Sequence, residues 1–149
     1  MEGCPLFMTP STYFSLLTAA ITITGWIITA RLSRTNTTNS SKNNEINKLV
    51  DELYKTLDSI YTEMLLVMLK TSEPKVAYYK FIALVRSVNF ICSRIEMLDS
   101  TQPLNQGLLG ELRQACTDDK KYEQAIITTT LAQIQDVQER IKNSFIKKF

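Results

Sequence analysis

The chain has 149 residues, with 17 basic and 15 acidic side chains, a formal net charge of +2 and no histidine. So balanced a charge implies no general attraction to nucleic acid. The missing histidine removes the commonest general base, transition-metal ligand and pH switch, and rules out any Ser-His or Cys-His nucleophile pair.

The first element is an apolar segment. No charged residue occurs from Ser11 to Ala30. About 20 residues at 1.5 Å each reach roughly 30 Å, the thickness of a hydrocarbon core. Pro10 precedes the segment and suits a helix start, and Tyr13 and Trp26 lie toward opposite ends as interfacial aromatics do. A transmembrane helix over residues 11–32 is therefore expected, after a short extracytoplasmic N-terminus of residues 1–10. A cleaved signal peptide fits less well. Its basic leader is missing, since the first ten residues hold Glu2 and no Lys or Arg, and no small-x-small cleavage site precedes Arg31. Cys4 does not follow an apolar run, which argues against a lipoprotein.

Within that segment Ser11, Ser15, Thr18, Thr22, Gly25 and Thr29 recur at alternating steps of four and three. On a helix this draws one narrow stripe of small and hydroxylated side chains, while Phe14, Leu16, Leu17, Ile21, Ile23 and Ile27 suit lipid. Such a seam serves another helix or water. The competing reading is that each hydroxyl bonds its own i−4 carbonyl and does nothing further.

Arg31, Arg34 and Lys42 follow the segment and nothing basic precedes it. The positive-inside bias then places the N-terminus outside and the C-terminal part in the cytoplasm, as a single-pass protein of a bacterial inner membrane. Residues 33–44 are a Ser/Thr/Asn linker with no apolar side chain, read as a flexible spacer. Its Asn36-Thr37-Thr38 and Asn39-Ser40-Ser41 match the glycosylation pattern, but face the wrong side in this topology.

About 105 residues remain, enough for one core. Four helical segments are predicted over residues 45–149. The first, Glu45 to Lys70, repeats Ile46, Val50, Leu53, Leu57, Ile60 and Met64 at helical spacing, and Ser72-Glu73-Pro74 breaks it. The second, Lys75 to Leu98, carries two apolar faces. The wide one includes Phe81, Val85, Val88, Ile91, Cys92 and Ile95; the narrow one is Tyr79, Ala83, Phe90 and Met97. A helix with two stripes contacts two neighbours, so the narrow one is either a subunit or partner contact or lies under the fourth helix. A short third helix spans Leu108 to Ala115. Thr117-Asp118-Asp119 offers an N-cap for a fourth, running to Ile146 with Ile126, Leu131, Ile134, Val137, Ile141 and Phe145 on one face. Strand-like alternation is absent. The fold class is all-α: one transmembrane helix followed by an antiparallel bundle.

In an up-down bundle the last helix returns toward the membrane. Lys142, Lys147 and Lys148 would then meet anionic headgroups, with Phe145 and Phe149 available to dip in. The alternative is that these are solvated helix-end cations.

Functional chemistry is sparse. No Gly-rich phosphate loop occurs, no cofactor or metal site is expected, and Cys92 and Cys116 read as buried thiols of a reducing compartment. Asp118 and Asp119 read as a capping turn, not a metal site. Helical-bundle ribonucleases of the HEPN type pair an Arg with a following His; Phe145 stands downstream of Arg140, and the chain holds no His at all. The expectation is a non-enzymatic membrane protein whose partners are the lipid bilayer and further copies of itself. In its sharper form it makes a pore, or perturbs the membrane, as effectors of growth arrest or anti-phage defence do. Arg31 and Arg34 would stand at the cytoplasmic mouth. The alternative is a monomeric anchored adaptor that binds a cytoplasmic protein.

Overall fold

A computed structural model describes residues 10–118 and 127–148. These residues are all-helical: α1 (Pro10–Met68), α2 (Pro74–Leu98), α3 (Gln106–Thr117) and α4 (Ile127–Ser144), with no strand among them. The chain divides into two compact units, Met1–Ser41 and Lys42–Phe149.

In the first unit the described residues belong wholly to α1, and every side chain from Ser11 to Ser41 is exposed. The expected irregular spacer is helical. Its sequence has neither Gly nor Pro to break a helix, and Thr35, Thr37 and Thr38 each donate a hydroxyl hydrogen bond to the carbonyl four residues back, at 3.0, 2.8 and 2.9 Å. Such bonds keep the hydroxyls from competing for the backbone in a non-helical form.

The second unit is built around one core. Ile46, Val50, Leu53, Leu57, Ile60 and Met64 of α1 are buried against Ala77, Phe81, Val88 and Ile95 of α2. Leu108, Leu112 and Cys116 of α3, Leu131, Ile134, Val137 and Ile141 of α4, and the following Phe145 complete it. Phe145 is 2% exposed, so it is a core residue and has no part in meeting lipid.

Local chemistry sets the helix ends. Lys70 takes a left-handed φ of 56°. Its N–H donates to the Val67 carbonyl and the Thr71 N–H to that of Leu66, both at 2.9 Å, which is the Schellman arrangement. Glu73 is the N-cap residue of α2, with Pro74 in the first turn, where its missing N–H costs nothing. The Asn105 side chain accepts from the N–H groups of Gly107 and Leu108 and caps α3. Thr117 lies in the last turn of α3, and Asp118 is its C-cap residue. Thr117 is therefore not the expected N-cap of the fourth helix; Asp119 and Ile126 lie outside the described residues.

Besides the exposed ion pairs Arg94–Glu45 and Arg140–Glu111, three polar ties among the described residues join the helices. Glu63, 8% exposed, accepts from the Ser72 hydroxyl at 2.8 Å and from Lys80 Nζ at 3.0 Å, fastening the α1–α2 turn. The buried Gln138 amide donates to the Leu57 carbonyl at 2.6 Å, tying α4 to α1. The third tie is the C-terminal tail, described below.

Candidate functional site

The uncovered apolar run of α1 is the first feature. α1 includes a run long and apolar enough to span a membrane, and none of that run is buried within the chain. In water such a surface costs about 25 cal/mol per Å² of apolar area, a cost that cover by lipid or protein would remove.

One face of that run is the small-residue seam. Ser11, Ser15, Thr18 and Thr22, with Phe14 and Ala19, line a shallow open groove along the helix. Thr18, Thr22 and Thr29 donate to the carbonyls of Phe14, Thr18 and Gly25, each at 2.8 Å. Thr24, off the seam, does the same to Ala20 at 2.7 Å. No hydroxyl proton of these threonines is left unpaired, and in an apolar setting an unmade hydrogen bond would be expensive. Each oxygen keeps acceptor capacity. The threonines therefore offer a neighbour small volume and an acceptor, not a donor. At Gly25 a Cβ would meet nothing within 4 Å, so the notch is open to an approaching helix. Arg31 and Arg34 lie beyond the apolar run, and both are exposed.

The second feature is the narrow stripe of α2. Tyr79, Phe90 and Met97 are 71, 63 and 77% exposed, and Ala83 is exposed beside them. The fourth helix does not cover this stripe. The wide face, by contrast, buries Phe81, Val85, Val88, Ile91, Cys92 and Ile95 in the core. Two contacts orient the exposed rings: Tyr78 meets Tyr79 edge-on at 5.6 Å between centroids, and the Arg94 guanidinium sits 6.0 Å from the Phe90 centroid.

The C-terminal lysines are occupied. Lys142 pairs with Asp58, Lys147 with Asp51 and Lys148 with Asp99, each at 2.8 Å. Lys142 also stands 5.5 Å from the Tyr54 ring centroid. The backbone of the tail is held too. Asn47 donates to the Lys148 carbonyl at 2.8 Å and accepts the Lys148 N–H at 2.7 Å. Gln102 accepts the Ile146 N–H at 2.7 Å, and the Tyr54 hydroxyl lies 3.0 Å from the Phe145 carbonyl. These lysines act as a latch between the tail, α1 and the α2–α3 loop. Phe149 lies outside the described residues. Lys148, then Gln102 and Thr101, hold the Asp99 carboxyl well below the usual carboxylate range. Nothing in the spacing of Asn47, Gln102 or Tyr54 marked this latch in advance, because the partners of each lie far away in sequence.

Among the described residues, no group of three or more His, Cys, Asp or Glu side chains converges. Cys92 and Cys116 are buried, and burial pushes the Cys92 thiol up to about 12. Arg140 pairs with Glu111 at 2.8 Å and lies 3.6 Å from Asp136. No protein-family model matches this chain, and no curated protein and no solved structure matches it.

Proposed function

We propose that this chain is a non-enzymatic, single-pass membrane protein that self-associates through the Ser11–Thr29 seam. The N-terminus lies outside and the helical domain in the cytoplasm. The observation that carries the reading is the uncharged helical run from Ser11 to Ala30, exposed throughout, with a small side chain at every seam position from Ser11 to Thr29. Arg31, Arg34 and Lys42 on its C-terminal side support the orientation. The back-bonded threonines favour a packed seam over a water-lined one, since their donors are already used. A pore, with Arg31 and Arg34 at its mouth, is the form this assembly takes if the seam is wet instead, and a membrane-perturbing role in growth arrest or defence belongs to that form.

The test is the mass of the full-length protein released from mild detergent, with Thr22→Leu, Gly25→Leu and Ile21→Leu beside it. The reading expects a discrete oligomer that the first two substitutions break and the third leaves intact. Ion flux through vesicles then separates a pore from a packed bundle. A monomer in several mild detergents sinks the self-association reading.

A second reading is favoured by the exposed α2 stripe. The protein is then an anchored adaptor whose Tyr79, Phe90 and Met97 meet a cytoplasmic partner.

A further inference from the structure

The α2 stripe does not stand alone. Beside it α2 and α3 enclose an open groove of about 410 Å³. Its apolar floor includes Ile82, Val85 and Leu109; Arg86 stands on one side and Arg113 on the other. No acidic side chain is among its described lining residues, and neither arginine forms an ion pair with any described residue. Lys80 and Arg94, on the far side of the stripe, are already neutralised by Glu63 and Glu45. Arg86 and Arg113 therefore leave the groove with positive charge that no described carboxylate compensates.

Register joins groove and stripe into one surface. Tyr79, Ala83, Arg86 and Phe90 follow at steps of four, three and four, with Met97 one heptad later. Arg86 thus sits in the middle of the apolar line and also on the groove. From Val76 to Met97 the surface runs roughly 30 Å, the length of a helix of about 20 residues. The exposed fractions of Tyr79, Phe90 and Met97 amount to on the order of 400 Å² of largely apolar surface. That is about half of what one partner contributes to a standard interface, and the groove floor supplies more.

We infer that the α2–α3 groove and the Tyr79–Met97 stripe together dock an acidic amphipathic helix of a partner protein, its carboxylates meeting Arg86 and Arg113. This inference rests on the adaptor reading and specifies its partner. A second copy fits less well, because a two-fold pairing of the stripes brings the two Arg86 side chains together at its midpoint. Burying like charges there opposes association. An acidic helix meets the same arginines with opposite charge and lays apolar residues on Tyr79, Ala83, Phe90 and Met97.

The test uses the full-length protein in phosphatidylcholine nanodiscs and two fluorescent helical peptides of about 20 residues. Both carry leucine along one face; glutamates flank it in the first and lysines in the second. Anisotropy is read against empty nanodiscs. The expected result is at least about tenfold tighter binding of the glutamate peptide at low salt. Arg86→Glu with Arg113→Glu should reverse that preference, and Phe90→Ser should weaken both peptides. Equal binding of the two peptides, unchanged by the charge reversal but lost in Phe90→Ser, overturns the acidic partner and leaves a docking face. Binding of neither overturns both the inference and the adaptor reading. A benzophenone side chain at position 90 that joins two copies of this chain overturns the inference in favour of self-association.

Discussion

Replacing Asn47 with alanine should release the C-terminal tail. The side chain makes two hydrogen bonds to the Lys148 backbone, at 2.8 and 2.7 Å, across 101 residues of sequence. A net hydrogen bond contributes about 0.5–1.5 kcal/mol. Asn47 is only half-buried and water can partly replace it, so the lower part of that range applies to each. The sum is about 1–2 kcal/mol. For a domain of about 100 residues each kcal/mol shifts Tm by roughly 4–8 °C, so a fall of about 5–15 °C is expected. Circular dichroism at 222 nm on the protein in mild detergent reads the shift, and amide exchange reads the tail. The Ile146 and Lys148 amides should lose protection first, while the α1 amides around Leu57 keep theirs until global unfolding. A Tm change below about 2 °C with the Lys148 amide still protected would refute the latch. It would also return Lys147 and Lys148 to the solvent or to lipid, where Lys147→Ala with Lys148→Ala should weaken binding to anionic vesicles. Under the latch, the same pair of substitutions lowers stability instead, and modestly, because Lys147–Asp51 is a surface pair worth at most about 1 kcal/mol.

Further predictions follow from individual sites. Lys70→Gly should raise stability by up to about 1 kcal/mol in denaturant titration, because it relieves a left-handed φ of 56° but loosens the unfolded chain. Asp99 has a folded-state pKa below its ordinary value, so its ionised form stabilises the fold above pH ~4 and that contribution fades as pH falls further. Asp99→Asn should therefore be less stable than the parent at pH 7, and the gap should narrow on acidification. The Cys92 thiol, pushed up to about 12 by burial, should resist iodoacetamide at pH 8 and react only at the rate of unfolding. In alkaline solution it should destabilise the fold as pH rises above its unfolded value near 9, an effect that Cys92→Ala removes.

The helical periodicity of this chain was legible without coordinates because helix cores repeat at steps of three and four. Ile46, Val50, Leu53, Leu57, Ile60 and Met64 fall on the buried side of α1 as that repeat requires. The two-stripe character of α2 was legible for the same reason. What covers the narrow stripe was not, since a buried and an exposed apolar stripe have the same spacing. The spacer was read as flexible from its lack of apolar anchors, yet the same residues hold no Gly or Pro to break a helix, and α1 runs through them. The back-bonding of Thr18, Thr22 and Thr29 was one of two readings that the hydroxyl pattern allows; side-chain rotamers place those hydroxyls on the i−4 carbonyls.

Composition and order alone determined the all-helical class, the apolar run from Ser11 to Ala30, the basic flank at Arg31 and Arg34, and the absence of histidine chemistry. These are local properties: hydrophobic period, charge and residue type act over one or two helical turns, or need no geometry at all. Tertiary structure decided which polar groups meet across long separations. Asn47 with Lys148, Leu57 with Gln138, and Asp99 with Lys148 are pairs that no local rule links. It also decided that the C-terminal lysines face carboxylates of their own chain and that Arg86 and Arg113 form no ion pair with any described residue. Opposite charges find each other only once packing has fixed which helix faces which.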